Sequence, residues 1–274
     1  MEADFIVPRR DVADVGVIGG SGFYELLDGV RPLAVRTPYG APSDEIAVGT
    51  YQGVRVAFLA RHGRGHRYPP HRINYRANIW ALASLGVNHI LGPSASGSLQ
   101  PHIKPGDFVV CDQFFDRTSG RPDTFYESPP VVHIGAADPY CPELSGIVVA
   151  SARELGIPVH ERGTVVVIQG PRFSTRSESR WYTSMGWEVV NMTQYPEQIL
   201  ARELQISYAN ISLITDYDVG LDGVADKPVS VAEVIEVFHQ NNARVRDLLL
   251  HVIPRIPRGR TFASHRALEG AVLS

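Results

Sequence analysis

The chain has 274 residues, 44% of them hydrophobic, which is enough for one large α/β core. This length favours a single domain over two domains. Its formal net charge of −3, without a lysine run or basic stripe, argues against nucleic-acid binding. Residues 1–14 lack the apolar core of a signal peptide and no apolar run reaches membrane-spanning length, so we expect a cytoplasmic protein with two ordinary thiols, Cys111 and Cys141.

Short apolar strands alternate with helical segments, an order that predicts an α/β sheet. The predicted strands are Val15–Ile18, Ile46–Tyr51, Val54–Leu59, His89–Leu91, Phe108–Gln113, Thr164–Ile168, Glu188–Asn191 and Ser207–Ile214. The predicted helices are Asn74–Leu85, Pro142–Leu155, Thr175–Ser184, Pro196–Leu204 and a segment from Ser230 that ends before Pro254. We expect one domain over residues 1–254, with a mixed, mostly parallel central sheet flanked by helices, and a peripheral tail over residues 255–274.

A glycine-rich turn follows the first strand at Gly19-Gly20-Ser21-Gly22. Its backbone amides and the Ser21 hydroxyl are suited to hold an anion. Neither a dinucleotide fingerprint nor a Walker loop fits these residues. A turn with a purely structural role stays open as the alternative.

Arg61 and His62 come directly after the strand Val54–Leu59. A guanidinium binds two phosphate oxygens at once, and the imidazole offers a second donor, although a surface charge pair is the competing interpretation. His66 and His71 follow in a proline-containing loop, at spacings that do not predict a metal site.

The stretch Gly92–Ser98 combines glycines with small hydroxyl residues after another predicted strand. It comes close to a hydrolase nucleophile elbow around Ser94, but Ser96 stands where the last glycine is needed. We therefore expect a hydroxyl-lined pocket for an anion or a sugar here, and not a serine hydrolase.

Residues that could contact a nucleoside follow the later strands. Phe173 could stack on a base or belong to the core, while Met192 and Thr193 end a strand and could contact a sugar and a phosphate. Asp216 and Asp218 follow the buried strand Ser207–Ile214, where α/β folds place ligand chemistry, although a solvated turn also contains such residues.

The carboxyl ends of parallel strands lie at one edge of a sheet, so these groups should converge on one cleft. That cleft would have an anion-binding half and a carboxylate half. This arrangement suits phosphate attack on a purine nucleoside.

The chain resembles the S-methyl-5′-thioadenosine phosphorylases of the trimeric purine nucleoside phosphorylase superfamily over roughly residues 15–254. The motifs that carry the resemblance are Gly19–Gly22, Arg61–Gly63, Asn74–Asn78, Gly106-Asp107 through Asp112-Gln113, Gly170–Ser174, Asn191–Thr193 with Pro196-Glu197, and Thr215–Asp218. Each motif is weak alone, and their combination is specific.

The resemblance implies a role for each matching residue. The phosphate-binding residues would be Ser21, Arg61, His62, Ser94 and Thr193. The nucleoside-binding residues would be Ala95, Phe173, Ser174, Met192, His133, Val231 and Val234. Asp216 and Asp218 would be the catalytic pair that selects a 6-aminopurine, with Asp216 stabilising N7 of the departing base.

His133, Val231 and Val234 would form the apolar pocket for the 5′ substituent, and His133 would come from a neighbouring subunit. The resemblance therefore also implies an oligomer. We expect a homotrimer or a dimer of trimers. Ser96 departs from the cysteine of some relatives, and the tail does not match well.

The expected activity is phosphorolysis of 5′-methylthioadenosine to adenine and 5-methylthioribose 1-phosphate, with phosphate as co-substrate and no cofactor or metal. Rival interpretations are a phosphorylase for adenosine or another 5′-deoxyadenosine, a 6-oxopurine nucleoside phosphorylase, and a nucleoside-binding protein without catalysis.

Overall fold

Eleven strands form one mixed sheet within the residues that this computed structural model describes, namely 7–20, 28–221, 224–225 and 228–273. The strands are β1 (Val15–Gly19), β2 (Asp28–Leu33), β3 (Ile46–Tyr51), β4 (Val54–Ala60), β5 (His89–Ser98), β6 (Phe108–Val109), β7 (Gln113–Arg117), β8 (Val159–His160), β9 (Thr164–Ile168), β10 (Val189–Asn191) and β11 (Ser207–Asp216). The α-helices of the same residues are α1 (Tyr75–Ser84), α2 (Pro142–Glu154), α3 (Arg176–Ser184), α4 (Gln194–Glu203) and α5 (Val231–Val252).

Helices cover both faces of the sheet. Ile79 of α1 and Leu200 of α4 belong to one apolar core, whereas Leu144 of α2 and Leu248 of α5 belong to a second core. Successive residues of β4 enter the two cores in alternation, as expected of a strand between two helical layers. The expected α/β class, with a mixed sheet flanked by helices, is confirmed.

Strand β5 lies at the centre of the sheet and creates an opening in it. From His89 to Gly97 it pairs in parallel with β11 along one edge. Its other edge pairs first with β1, up to Leu91, and then with β10, from Gly97. Between these two partners no described strand pairs with the edge of β5 from Gly92 to Ser96, and the cavity described below lies there.

Two strand predictions were wrong in extent. The strand expected over His89–Leu91 continues to Ser98, because β11 supplies a parallel partner throughout and so extends the strand across Pro93 and the glycines. The single strand expected over Phe108–Gln113 is two strands, since the chain leaves β11 after Val109 and joins β9 from Gln113.

The edge strand β2 was not predicted, because five of its six residues are exposed and no apolar pattern marks it.

The C-terminal segment packs on the domain. Phe262, His265 and Leu268 are buried, and Val272 forms a β-bridge with Val132. The expected domain boundary at residue 254 stays a prediction. None of the described helices combines the length and the apolar character that crossing a bilayer requires.

Candidate active site

A cavity of about 770 Å³ opens beside the unpaired edge of β5. Its wall includes Gly20 after β1, Arg61 and His62 after β4, and the β5 residues Pro93–Gly97. The turn after β9 and the carboxyl ends of β10 and β11 complete the wall. The structure thus brings predicted anion-binding and base-binding residues to one space.

Arg61 is the most constrained side chain at the end of the cavity near β1 and β4. It is 3% exposed, and its Nε and Nη2 atoms donate to the two carboxylate oxygens of Glu197 at 2.7 and 3.1 Å. Further donations go to the carbonyl oxygens of Pro93 at 2.8 Å and Ile18 at 2.9 Å. Contacts with described residues therefore occupy four of the five N–H groups of the guanidinium, and the fifth has no partner among these residues.

Arg61 remains charged despite its burial. Burial alone disfavours the cation, but the Glu197 carboxylate more than offsets it and raises the pKa of Arg61. The interpretation of Arg61 as a surface charge pair is excluded by this burial. The ion pair connects Arg61 to α4, and the bonds to Ile18 and Pro93 connect it to β1 and β5. Arg61 therefore also holds these three elements together.

His62 is a neutral imidazole in this structure. Burial, with a smaller effect of the neighbouring His66, lowers the pKa of His62 to about 3. Its Nδ1 lies 2.8 Å from the carbonyl oxygen of Tyr68, and because a carbonyl only accepts, Nδ1 carries the proton. Its Nε2 is therefore an acceptor, and the predicted role of His62 as a second donor needs correction. His66 also lines the cavity and stacks on His62 with ring centroids 3.9 Å apart.

Two hydroxyl groups face the same end of the cavity. Ser94 is 5% exposed and Thr193 is 6% exposed, and both line the wall. Thr193 occupies the N-terminal cap position of α4, but its side chain makes no capping hydrogen bond. Among the described residues no hydrogen bond occupies this hydroxyl, so it can contact a ligand in the cavity. Ser21, the third predicted hydroxyl, lies outside the described residues.

The two carboxylates at the end of β11 are held differently. Asp216 Oδ2 accepts a hydrogen bond from the Thr215 hydroxyl at 2.6 Å, and Oδ1 accepts from the Asp218 backbone N–H at 2.7 Å. Gly97 permits this approach, since a Cβ there would lie 2.9 Å from Asp216 Oδ1.

Asp218 is more deeply enclosed than Asp216 and has a left-handed backbone with φ of 51°. Burial raises the pKa of Asp218, and the hydroxyls of Ser179 and Ser174 only partly counteract it. Its Oδ2 is buried without a hydrogen-bond partner among the described residues. Burial thus works against the charged form of this carboxyl, and Oδ2 remains for a ligand.

The space between the two ends is lined by apolar groups. Ala95, Phe173 and Met192 belong to the wall, whereas Ser174 is buried beside Asp218. Gly170 makes room for Met192, because a Cβ on Gly170 would lie 2.7 Å from the methionine sulfur.

The predicted 5′ pocket is not assembled from the described residues. His133 is exposed and is not part of the cavity wall. Val231 and Val234 lie on α5, but their side chains are outside the described part of the structure.

Sequence reasoning missed several residues that shape this site. Glu197 was quoted only as part of a motif, although a carboxylate in a buried, apolar segment signals a buried cation. Asn191 and His66 line the cavity and were assigned no role. The left-handed backbone at His66, with φ of 55°, had no signal in the sequence.

The sequence profile described as the phosphorylase superfamily matches residues 14–254. The chain belongs to this superfamily. The match spans β1 to the end of α5, so every predicted site residue falls inside it.

Curated members of the phosphorylase superfamily include close relatives of this chain. The S-methyl-5′-thioadenosine phosphorylase of Thermofilum pendens is 48% identical over 261 residues, 94% of this chain and 98% of the relative. The purine nucleoside phosphorylase of Streptomyces coelicolor is 49% identical over 253 residues, 89% of this chain and 90% of the relative.

Solved structures of phosphorylase superfamily members agree with the fold. A methylthioadenosine phosphorylase from an Antarctic soil metagenomic library aligns with a TM-score of 0.89 and 40% identity, over 96% of this chain and 93% of the other. The methylthioadenosine phosphorylase of Schistosoma mansoni in complex with adenine aligns with a TM-score of 0.84 and 42% identity, over 89% and 91% of the two chains. The resemblance inferred from the sequence motifs is therefore confirmed.

Proposed function

We propose that this protein cleaves 5′-methylthioadenosine with phosphate and releases adenine and 5-methylthioribose 1-phosphate. The observation that supports this most directly is one cavity with hydroxyl groups and an arginine at one end and two carboxyl groups at the other. Ser94 and Gly97 mark these ends on β5 and are separated by roughly 10 Å along an extended strand. A purine nucleoside with phosphate behind its sugar has comparable dimensions. The name of the Thermofilum pendens relative supports methylthioadenosine as the nucleoside.

Phosphate is the nucleophile and the only co-substrate in this proposal, and no cofactor is involved. The Ser94 and Thr193 hydroxyls and the remaining N–H of Arg61 donate to its oxygens. His62 Nε2 accepts from the P–OH group of monohydrogen phosphate. These contacts orient a phosphate oxygen toward C1′, which replaces a random collision with a fixed approach.

The bond from C1′ to N9 breaks as the bond from the phosphate oxygen to C1′ forms, and adenine takes the electron pair of the broken bond. Asp216, starting protonated or sharing a proton with its neighbourhood, stabilises N7 by passing this proton to it, so the base leaves as neutral adenine. The unpartnered Oδ2 of Asp218 accepts from the 6-amino group. A 6-oxopurine would place its carbonyl oxygen against these acceptors, so adenine is favoured over hypoxanthine.

The active unit in this proposal is a homotrimer. His133 is exposed and outside the cavity of its own chain, which is consistent with delivery of this side chain to a neighbouring subunit. Val231 and Val234 would complete the apolar pocket for the methylthio group. Cytoplasmic location is part of the same expectation.

The test is adenine release from 5′-methylthioadenosine, with adenosine and inosine in parallel, each with and without phosphate. We expect phosphate-dependent release that is fastest with methylthioadenosine. Faster release from adenosine would mean that the natural substrate carries a 5′-hydroxyl and not a methylthio group. Release of hypoxanthine from inosine would contradict the roles of Asp216 and Asp218. Release without phosphate would indicate a hydrolase.

A further inference from the structure

Three side-chain amides converge on the hydroxyl oxygen of Ser94 beneath the cavity. The amide nitrogens of Asn191 and Gln194 each lie 3.4 Å from Ser94 Oγ, and that of Asn210 lies 3.5 Å away. The amides come from β10, α4 and β11, so three separate elements place a group against one hydroxyl. Gln194 and Asn210 are both fully buried and do not belong to the cavity wall.

The backbone carbonyl of Gly92 decides which atom of each buried amide faces Ser94. Its oxygen lies 3.3 Å from Gln194 Nε2 and 3.4 Å from Asn210 Nδ2. A carbonyl oxygen only accepts, so the atoms beside it must be the NH2 groups. The same nitrogens contact Ser94, and they are therefore donors to it.

The amide of Asn191 has the same orientation for a different reason. Its Oδ1 accepts from the backbone N–H of Gln194 at 3.4 Å, which turns its NH2 group toward Ser94 and Ser96. Every amide around Ser94 Oγ thus offers it a hydrogen.

A hydroxyl oxygen has two lone pairs and one hydrogen. Ser94 is surrounded by donors, and within the described part of the chain no acceptor takes its hydrogen. Ser96, two residues along the same face of β5, differs: its hydroxyl donates to Ser212 at 3.0 Å, and Ser212 donates to Asn210 Oδ1 at 2.9 Å. Of the two serines, only Ser94 keeps its hydrogen for the cavity.

We propose that Gln194 and Asn210 are positioning residues that hold the Ser94 hydroxyl as a hydrogen-bond donor to the phosphate oxygen. The inference rests on the proposed phosphorolysis, and it goes beyond it by assigning phosphate affinity to two buried amides that do not touch substrate. Occupying the lone pairs of Ser94 aims its hydrogen into the cavity before phosphate arrives, so the hydroxyl needs no reorientation on binding.

The test is a double-mutant cycle between each amide and Ser94, read as the KM for phosphate and the KM for methylthioadenosine. Gln194→Met and Asn210→Leu remove the donors and keep the side-chain volume similar. We expect each to raise the KM for phosphate about tenfold, the size of one lost hydrogen bond, with little change in the KM for the nucleoside. In a Ser94→Ala background the same substitutions should change the KM for phosphate by less than about twofold.

A second substitution separates positioning from a general structural role. Gln194→Glu places an acceptor where the NH2 group was, so it should draw the Ser94 hydrogen away and raise the KM for phosphate more than Gln194→Met does. If a substitution changes the KM for phosphate by the same factor in the wild-type and Ser94→Ala backgrounds, the inference is overturned. Equal increases in the KM for phosphate and the KM for methylthioadenosine would overturn it as well.

The outcomes for the wild type and for Ser94→Ala distinguish this inference from the proposed function. Phosphate-independent release by the wild type would overturn both. An unchanged KM for phosphate in Ser94→Ala would overturn the inference while leaving phosphorolysis intact. Thermal melting of each variant checks folding, and because Gln194 and Asn210 lie on different elements, either one suffices for the cycle.

Discussion

Replacing Glu197 with glutamine separates two roles of Arg61, one in a buried ion pair and one at the phosphate end of the cavity. The pair is bidentate at 2.7 and 3.1 Å, and its side chains are 3% and 0% exposed. Removing one partner of a buried pair leaves an uncompensated charge, which typically costs about 3–5 kcal/mol of unfolding free energy. At ~2–4 °C per kcal/mol for a domain near this size, we expect the Tm of Glu197→Gln to fall by roughly 6–20 °C.

Thermal and urea unfolding measured beside steady-state kinetics would distinguish the two roles. Glu197→Gln keeps the bonds from Arg61 to Pro93 and Ile18, so its KM for phosphate should change far less than that of Arg61→Met. Arg61→Met should lose stability and also raise the KM for phosphate roughly 10- to 100-fold, the effect of one charged hydrogen bond.

The double variant Arg61→Met/Glu197→Met is the matched control, because it removes both charges together. It should recover much of the lost Tm without recovering phosphate affinity. A loss below about 1 kcal/mol in Glu197→Gln would refute the buried-pair argument. A normal KM for phosphate in the double variant would remove Arg61 from the phosphate site.

Three further substitutions test other parts of the structure. Asp216→Asn should lower kcat for adenine release by about two to four powers of ten, measured at saturating phosphate, and full turnover would disprove its role as the acid. Burial raises the pKa of Glu203 to about 7, so its contribution to the free energy of unfolding is complete in acid and is lost as pH rises through 7. Between pH 5 and pH 8, the unfolding free energy of the wild type in urea should therefore fall by roughly 2 kcal/mol more than that of Glu203→Gln. Parallel pH profiles of the two proteins would contradict this. Gly92→Ala would place a Cβ 2.0 Å from Tyr208 Oη and should cost about 1–3 kcal/mol or more. Gly146→Ala in α2 is the control: apart from the adjacent backbone of the helix, no described atom lies within 4 Å of the added Cβ, so this change should be neutral or stabilising.

Positions at the ends of strands could be predicted from the sequence because strand and loop signals are local. Apolar β-branched runs identified β4 and β11, and the polar residues that follow these runs identified Arg61, just after β4, and Asp216, the last residue of β11, as cavity residues. The capping box at Thr175 and Glu178 is also local, and it is present at the start of α3.

Contacts between distant segments could not be predicted in this way. The partner of Arg61 is Glu197, 136 residues later, and no periodic pattern connects them. The convergence of strand ends was inferred from parallel pairing, but β10 runs antiparallel to β5 and brings Met192 and Thr193 back toward Ser94. Ser94 itself lies inside β5, at the edge that β1 and β10 leave open. These features depend on strand order, which single-residue preferences do not encode.

In the proposed reaction phosphate, and not water, captures C1′ of methylthioadenosine. Phosphorus NMR of the protein with methylthioadenosine and inorganic phosphate tests it directly. We expect a new sugar 1-phosphate resonance that grows in equal amount to the adenine released. Adenine release with the phosphate resonance unchanged and free methylthioribose in solution would contradict it.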